Sequence, residues 1–338
     1  TDGTYDYTNY AFVPEAARKT SSEGGLPEAK DGHTYYGNVF GGGSGVIPYA
    51  PGLWHRGAGS VGGNTYVNIT GGHILTSVYG GNEHTDVGTY EKDASGQPTT
   101  TPAANDARGK CTVNMVGGTL GVPRTDADTR AHPVTCYLFG AGKGDQRIFF
   151  NTWTNVINTE VNISGDARIY GSVFGGGEDG HVIGDAETNI GNVTIKTGKD
   201  ENDDEITASA TNSGLIIGTT GTSYFDGNVF GGGRGFSGEA QTAGTVGGNV
   251  EVNINAGSVY GSVYGGGRLA SVGTMFEFPT LTNGDPNPAY GNFKEDDTNG
   301  TYGHVTINIS GGTIGKDYST TTPLPDGIEH SGNVFGGS

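Results

Sequence analysis

Two short apolar–polar patterns alternate along most of the chain. The first reads Gly-(Asn/Ser)-aliphatic-aromatic-Gly. It occurs at Gly37-Asn38-Val39-Phe40-Gly41, Ser77-Val78-Tyr79-Gly80, Gly171-Ser172-Val173-Phe174-Gly175, Gly227-Asn228-Val229-Phe230-Gly231, Gly261-Ser262-Val263-Tyr264-Gly265 and Asn333-Val334-Phe335-Gly336, with a weaker copy at Tyr137-Leu138-Phe139-Gly140. The second reads Val-Asn-Ile, as in Val67-Asn68-Ile69, Val113-Asn114-Met115, Val161-Asn162-Ile163 and Val252-Asn253-Ile254. Val193-Thr194-Ile195 and Val305-Thr306-Ile307-Asn308-Ile309 read as its variants. Strict alternation predicts strands with one buried face, and the following glycines punctuate turns. No helix-length amphipathic stretch interrupts them.

The shortest spacing between copies gives a unit of about 34 residues, onto which variable loops are grafted. The extra length sits at 91–110, 121–135, 199–213 and 275–300, segments rich in Asp, Thr, Pro and Gly. Paired units suggest a larger repeat of roughly 100 residues. Strands recurring at one register predict stacked parallel coils about 4.8 Å apart, with Val and Ile filling the interior. The expected fold is therefore all-β, a parallel β-helix (β-solenoid), right-handed, with long irregular loops. Tandem antiparallel β-sandwich modules are the alternative, with Gly-Gly pairs as hairpin turns. Residues 1–30 read as an irregular or capping segment. Residues 31–338 read as a single elongated solenoid of about seven repeat units.

Composition narrows the class. Glycine occurs 65 times, without the three-residue period of collagen. The 17 Tyr and 13 Phe recur at ordered places, unlike a disordered Gly/Ser chain. A formal net charge of −18 argues against a nucleic-acid partner, because the basic stripe that neutralises phosphates is missing. No run approaches the roughly 18 apolar residues of a membrane helix, so no membrane insertion is expected. The chain opens at Thr1 without a signal peptide and closes inside a repeat, reading as an excised fragment whose repeats continue.

The alternation of Gly-Asn-Val-Phe-Gly-Gly-Gly with Val-Asn-Ile-x-Gly-Gly resembles the Gly-rich repeats of large secreted or surface proteins of Bacteroidetes. It is similar, more loosely, to parallel β-helix adhesins and autotransporter passengers. The resemblance spans about residues 31–338. It implies an exported, bacterial cell-surface or extracellular protein of adhesive or fibre-forming type, and it supplies no catalytic residue.

Candidate chemistry is sparse. Gly57-Ala58-Gly59-Ser60-Val61-Gly62 and Gly233-Arg234-Gly235-Phe236-Ser237-Gly238 fit G-x-G-x-x-G, but no helix follows either, so the dinucleotide reading fails. Gly140-Ala141-Gly142-Lys143-Gly144-Asp145 lacks the first Gly and the Ser/Thr of a phosphate loop. Asp200, Asp203 and Asp204 in an acidic run, with Asp179, Asp185 and Glu187, are where a Ca²⁺ site is expected, if the protein takes a cofactor. The eight His show no zinc spacing, and no G-x-S-x-G elbow is present. Cys111 and Cys136 flank a Pro/Asp/Arg-rich insertion; a disulfide between them would add about 3 kcal/mol, and two free thiols are the alternative.

A glycosidase on stacked coils needs carboxylates recurring at one repeat position. The recurring outward positions carry Asn68, Asn114, Asn162, Thr194 and Asn253, which ladder well and catalyse poorly. The aromatic series Phe40, Tyr79, Phe139, Phe174, Phe230, Tyr264 and Phe335 forms either an exposed track for sugar rings or a second buried layer. Burial is the favoured reading, because seven exposed aromatics would make a large apolar patch.

Three classes of function follow. The first is a non-catalytic surface structural or adhesive protein contacting a glycan, a protein or sister subunits through its loops. The second is a filament or sheath subunit, by self-association. The third is a polysaccharide lyase or glycosidase on the same scaffold.

Overall fold

A computed structural model describes residues 37–45, 57–94, 96, 98–104, 108–122, 136–144, 154–219, 226–235, 243–273, 303–317, 319–320 and 331–337. The expected capping segment 1–30 and the loop 275–300 lie outside them. The described residues are all-β, without helix, and most strands pair in parallel.

Every copy of the aliphatic-aromatic motif becomes a two-residue strand of one seven-stranded sheet. Its spatial order is its chain order: Val39–Phe40, Val78–Tyr79, Leu138–Phe139, Val173–Phe174, Val229–Phe230, Val263–Tyr264, Val334–Phe335. The register sets aliphatic beside aliphatic and ring beside ring at each step. Each pass of the chain thus lies beside the next.

The second motif builds a ten-stranded sheet by the same logic. Thr65–Ile74, Lys110–Leu120, Asn158–Ile163, Ala186–Ile190, Val250–Ile254 and Val305–Ile309 follow one another in parallel. The ends of the first two continue into a column of short strands, Arg168–Ile169, Ile216–Ile217, Ser258–Val259 and Thr313–Ile314. Single bridges Val61–Val87, Val182–Val246 and Val246–Val272, with the pair His181–Val182/Asn155–Val156, mark a further line of valines.

Alternation decides what faces inward. Val78, Val113, Val161, Val173, Val252 and Val263, all fully buried, belong to one apolar cluster. Burying each such side chain contributes at most about 1.5–3 kcal/mol, and side chains aligned across rungs repeat that gain at every pass. Thr65 and Thr159 stand at the start of their strands and tie the sheets together: their hydroxyls donate to the carbonyls of Gly80 (2.6 Å) and Gly175 (2.7 Å).

The Gly after most of the aromatics has a steric cause. A Cβ on Gly80 would run into the carbonyl of Gly140 in the next rung, so the two passes can approach only with glycine there. Gly218 answers a different need, with φ at +109°, a backbone region where a Cβ is strained.

Two expectations are corrected. The repeat strands pair in parallel, so their Gly-Gly pairs are not the hairpin turns of antiparallel sandwich modules. The described antiparallel pairs, Tyr90–Lys92 with Pro98–Pro102 and Val193–Lys199 with Glu205–Ala210, come from the grafted loops instead. Val193-Thr194-Ile195 therefore lies on a hairpin. The rung is Ala186-Glu187-Thr188-Asn189-Ile190, in register with Thr159–Ile163 and Val250–Ile254.

Candidate functional site

In-register parallel pairing brings each residue against its own counterparts. Two continuous side-chain columns result.

The aromatic column contains all seven rings of the sequence series. Successive centroids from Phe40 to Phe335 are 4.8, 5.1, 4.9, 4.8, 4.6 and 4.9 Å apart, with planes within 16° of parallel. Tyr79, Phe139, Phe174 and Phe230 are buried, Phe40 and Tyr264 are half-buried, and Phe335 at the last rung is 46% exposed. Tyr137 packs edge-on against Phe139 and Phe174, and the Arg234 guanidinium lies 4.5 Å from its ring centroid. Burial pushes the Tyr137 phenol up to about 12. The Tyr79 phenol, raised well above its ordinary value by burial and then by the Glu178 charge, donates to Glu178 Oε2 at 2.6 Å.

The second column is asparagine. Asn114, Asn162, Asn189, Asn253 and Asn308 each donate Nδ2–H to the Oδ1 of the preceding rung's Asn, beginning at Asn68, at 2.8–3.0 Å. Each amide is donor and acceptor at once, so the column satisfies itself. The Val193–Lys199 strand folds back over its first two rungs. Its carbonyls at Thr197 and Lys196 accept from Asn68 (2.9 Å) and Asn114 (2.6 Å).

Beside the asparagines runs a feature the sequence reading missed. Glu160, Glu187 and Glu251 are register partners on three consecutive rungs, which places their backbones about 4.8 Å apart. Glu160 is 3% exposed and is paired with Lys110 Nζ and, at 2.8 Å, Lys196 Nζ. Burial alone would raise its carboxyl, but hydrogen bonds from Lys110, Lys196 and Asn162 outweigh that and hold it below the ordinary value. Glu187 Oε1 accepts from Asn189 and Glu251 Oε1 from Asn308. The signal was present as Glu two residues before Asn, in Glu160-Val161-Asn162, Glu187-Thr188-Asn189 and Glu251-Val252-Asn253.

The remaining candidates are dispersed. Asp185 is one of a set of side-chain oxygens that accept a backbone N–H from the next rung: Asn158 Oδ1 from Asp185, Asp185 Oδ1 from Asn249, Asn249 Oδ1 from His304. Asp179 is buried against the chain at Arg234, whose carbonyl accepts its N–H. Asp200, Asp203 and Asp204 form the tip of the hairpin. There Asp200 Oδ1 accepts the backbone N–H groups of Asn202 and Asp204, which lowers its pKa, and Lys199 pairs with Asp203. Among the described residues no group of three or more His, Cys, Asp or Glu is placed to hold a metal ion. Cys111 and Cys136 are buried free thiols, each pushed up to about 12 by burial. Thr65 bonds the first, and Asp226 and Val122 adjoin the second.

Among the described residues no helix is long and apolar enough to cross a membrane. No family model matches the chain, and neither a curated protein nor a solved structure is similar to it.

Proposed function

We propose that the chain is a parallel β-solenoid acting as a non-catalytic, extracellular structural or adhesive repeat protein of a bacterial cell surface. The carrying observation is the pair of uninterrupted columns. Ring faces and amide donors along the repeat face are engaged with their own counterparts, and the glutamates beside them with asparagines and lysines, which suits a stiff rod more than a reactive cleft. Segments free of that constraint are the grafted loops and hairpins, and these contact the glycan or protein partner. The acidic charge keeps so β-rich a surface soluble. The direct test is immobilised chain against glycan and host-surface protein panels, with a variant lacking 194–209 of the hairpin. Saturable binding that the deletion weakens supports the reading; binding to nothing on either panel removes the adhesive half of it.

A second reading rests on the glutamate column. Glu187 and Glu251 are register partners on adjacent rungs, and a rung spacing of about 4.8 Å is close to the roughly 5 Å that separates the carboxyls of a retaining glycosidase. Product release from acidic or neutral polysaccharides, abolished in Glu187→Gln and Glu251→Gln, would favour it. Equal product with either variant would discard it.

A further inference from the structure

The corner that follows the short-strand column has a pattern of its own. Leu75, Gly121, Tyr170, Gly218, Tyr260 and Gly315 occupy consecutive rungs. From Gly121 onward, the N–H of each donates to the interior residue of the rung before: Ile74, Leu120, Ile169, Ile217 and Val259. A large side chain and a glycine therefore alternate. Gly218 has no room for more, since a Cβ there would stand 2.7 Å from Gly227 Cα and 3.0 Å from Tyr260 Cβ. The two tyrosines, both half-buried, are thus two rungs or about 9.6 Å apart along the stack, with only glycine at the position between.

Arg168, two residues before Tyr170, shares its strand face. Its guanidinium carbon lies 4.6 Å from the Tyr170 ring centroid and 5.8 Å from that of Tyr260, so it reaches both rings. Lys316 Nζ approaches Tyr260 at 5.2 Å. All three contacts fall within cation–π range. Rings attract a cation without neutralising it. Arg168 Nη1 is buried with no hydrogen-bond partner, and among the described residues no carboxylate pairs with this guanidinium. In a chain of formal charge −18, a positive charge held partly out of water is left without compensation.

We propose that this corner binds an acidic polysaccharide, a β-linked chain carrying uronate carboxylates. The tyrosine rings pack against the C–H faces of sugars. Two rungs span the length of a disaccharide in an extended chain, so alternate sugars meet Tyr170 and Tyr260, and Gly218 leaves the sugar between them room to pass. Arg168 presents the fork of N–H groups that takes a carboxylate in two parallel hydrogen bonds. Lys316, just past the next rung's Gly315, adds a point charge further along the same line. A carboxylate on a peptide would use the arginine but not the spaced rings, so the sugar chain is the better fit. The ligand class rests on the extracellular adhesive reading, but the site is made by repeat residues and not by the 193–210 hairpin.

Isothermal titration of the 338-residue chain with a β-1,4-linked mannuronate hexasaccharide, with cellohexaose and with sulfated cellohexaose tests it. The expected result is saturable mannuronate binding that salt weakens, about tenfold tighter than cellohexaose. Arg168→Gln should lower mannuronate affinity about tenfold and erase the preference over cellohexaose. Arg168→Lys, which keeps the charge and loses the fork, should fall between. Tyr260→Ala should weaken both sugars about three- to tenfold. Circular dichroism shows that each variant is folded, and a merely structural arginine would not reorder the ligands. The chain lacking 194–209 should bind mannuronate as the full chain does, so failure of this site and failure of hairpin adhesion are read separately. No saturable mannuronate binding, a preference for the sulfated or neutral chain, or affinity unchanged in folded Arg168→Gln and Tyr260→Ala would overturn the proposal.

Discussion

The aromatic and asparagine columns obey the same geometry and reach opposite solutions. Both put a residue every rung against its own kind. Rings gain from the arrangement because faces stack and bury, so that column needs nothing but neighbours. Amides gain because each is donor and acceptor, and the column tolerates water at Asn68 and Asn308, both exposed. Glutamate, sharing the asparagine face, gains nothing from its counterparts. At Glu160, the most buried of the three, two lysines supply the counter-charge. An in-register parallel stack thus favours side chains complementary to themselves, and the others take partners of a different kind, as Glu187 does from Asn189 and Glu160 from Lys110 and Lys196.

The sharpest break in this comparison is Phe174→Ala, which leaves a hole between Phe139 and Phe230 and removes the Tyr137 contact. A loss of about 3–5 kcal/mol is expected, read from chemical denaturation. Asn162→Asp comes next. It replaces the Nδ2 that donates to both Asn114 and Glu160 with an acceptor beside a buried carboxylate, costing about 1–3 kcal/mol. The outer rung is softer: Asn253→Ala, half-exposed, should cost about 0.5–1.5 kcal/mol in the same assay. Glu160 gives a smaller effect with a defined sign. Its folded pKa is depressed, so its contribution is present above the unfolded value of about 4.3 and fades as pH falls through the lower folded value. The denaturation midpoint should therefore fall in that acid range, and Glu160→Gln should flatten this part of the profile.

Much of the architecture was legible in the sequence, because the motif residues touch their own copies. Val39, Val78, Val173 and Val263 fall in one sheet as their spacing required, and the ring series stacks in order. The rung at 186–190 was hidden because Ala186 and Thr188 occupy interior positions where its neighbours carry Val or Thr, while Val193-Thr194-Ile195 offered a cleaner alternation nearby. That segment pairs locally with 205–210, a short-range hairpin choice that periodicity does not rank. The glutamates escaped notice because Thr112 and Thr306 flank the column at its two ends, diluting the pattern to three of its rungs. Side-chain pairings such as Lys196 with Glu160 depend on the hairpin folding back, which no local pattern encodes.

The most direct test of rung-over-rung register is disulfide trapping on the asparagine face. Asn253→Cys/Asn308→Cys puts thiols on register partners, at a spacing a disulfide can span; Asn253→Cys/Thr306→Cys shifts one of them two residues along the strand. Rapid oxidation of the first pair and little of the second is the predicted result. Equal oxidation of both pairs, or none in either, would contradict the stacked-rung account.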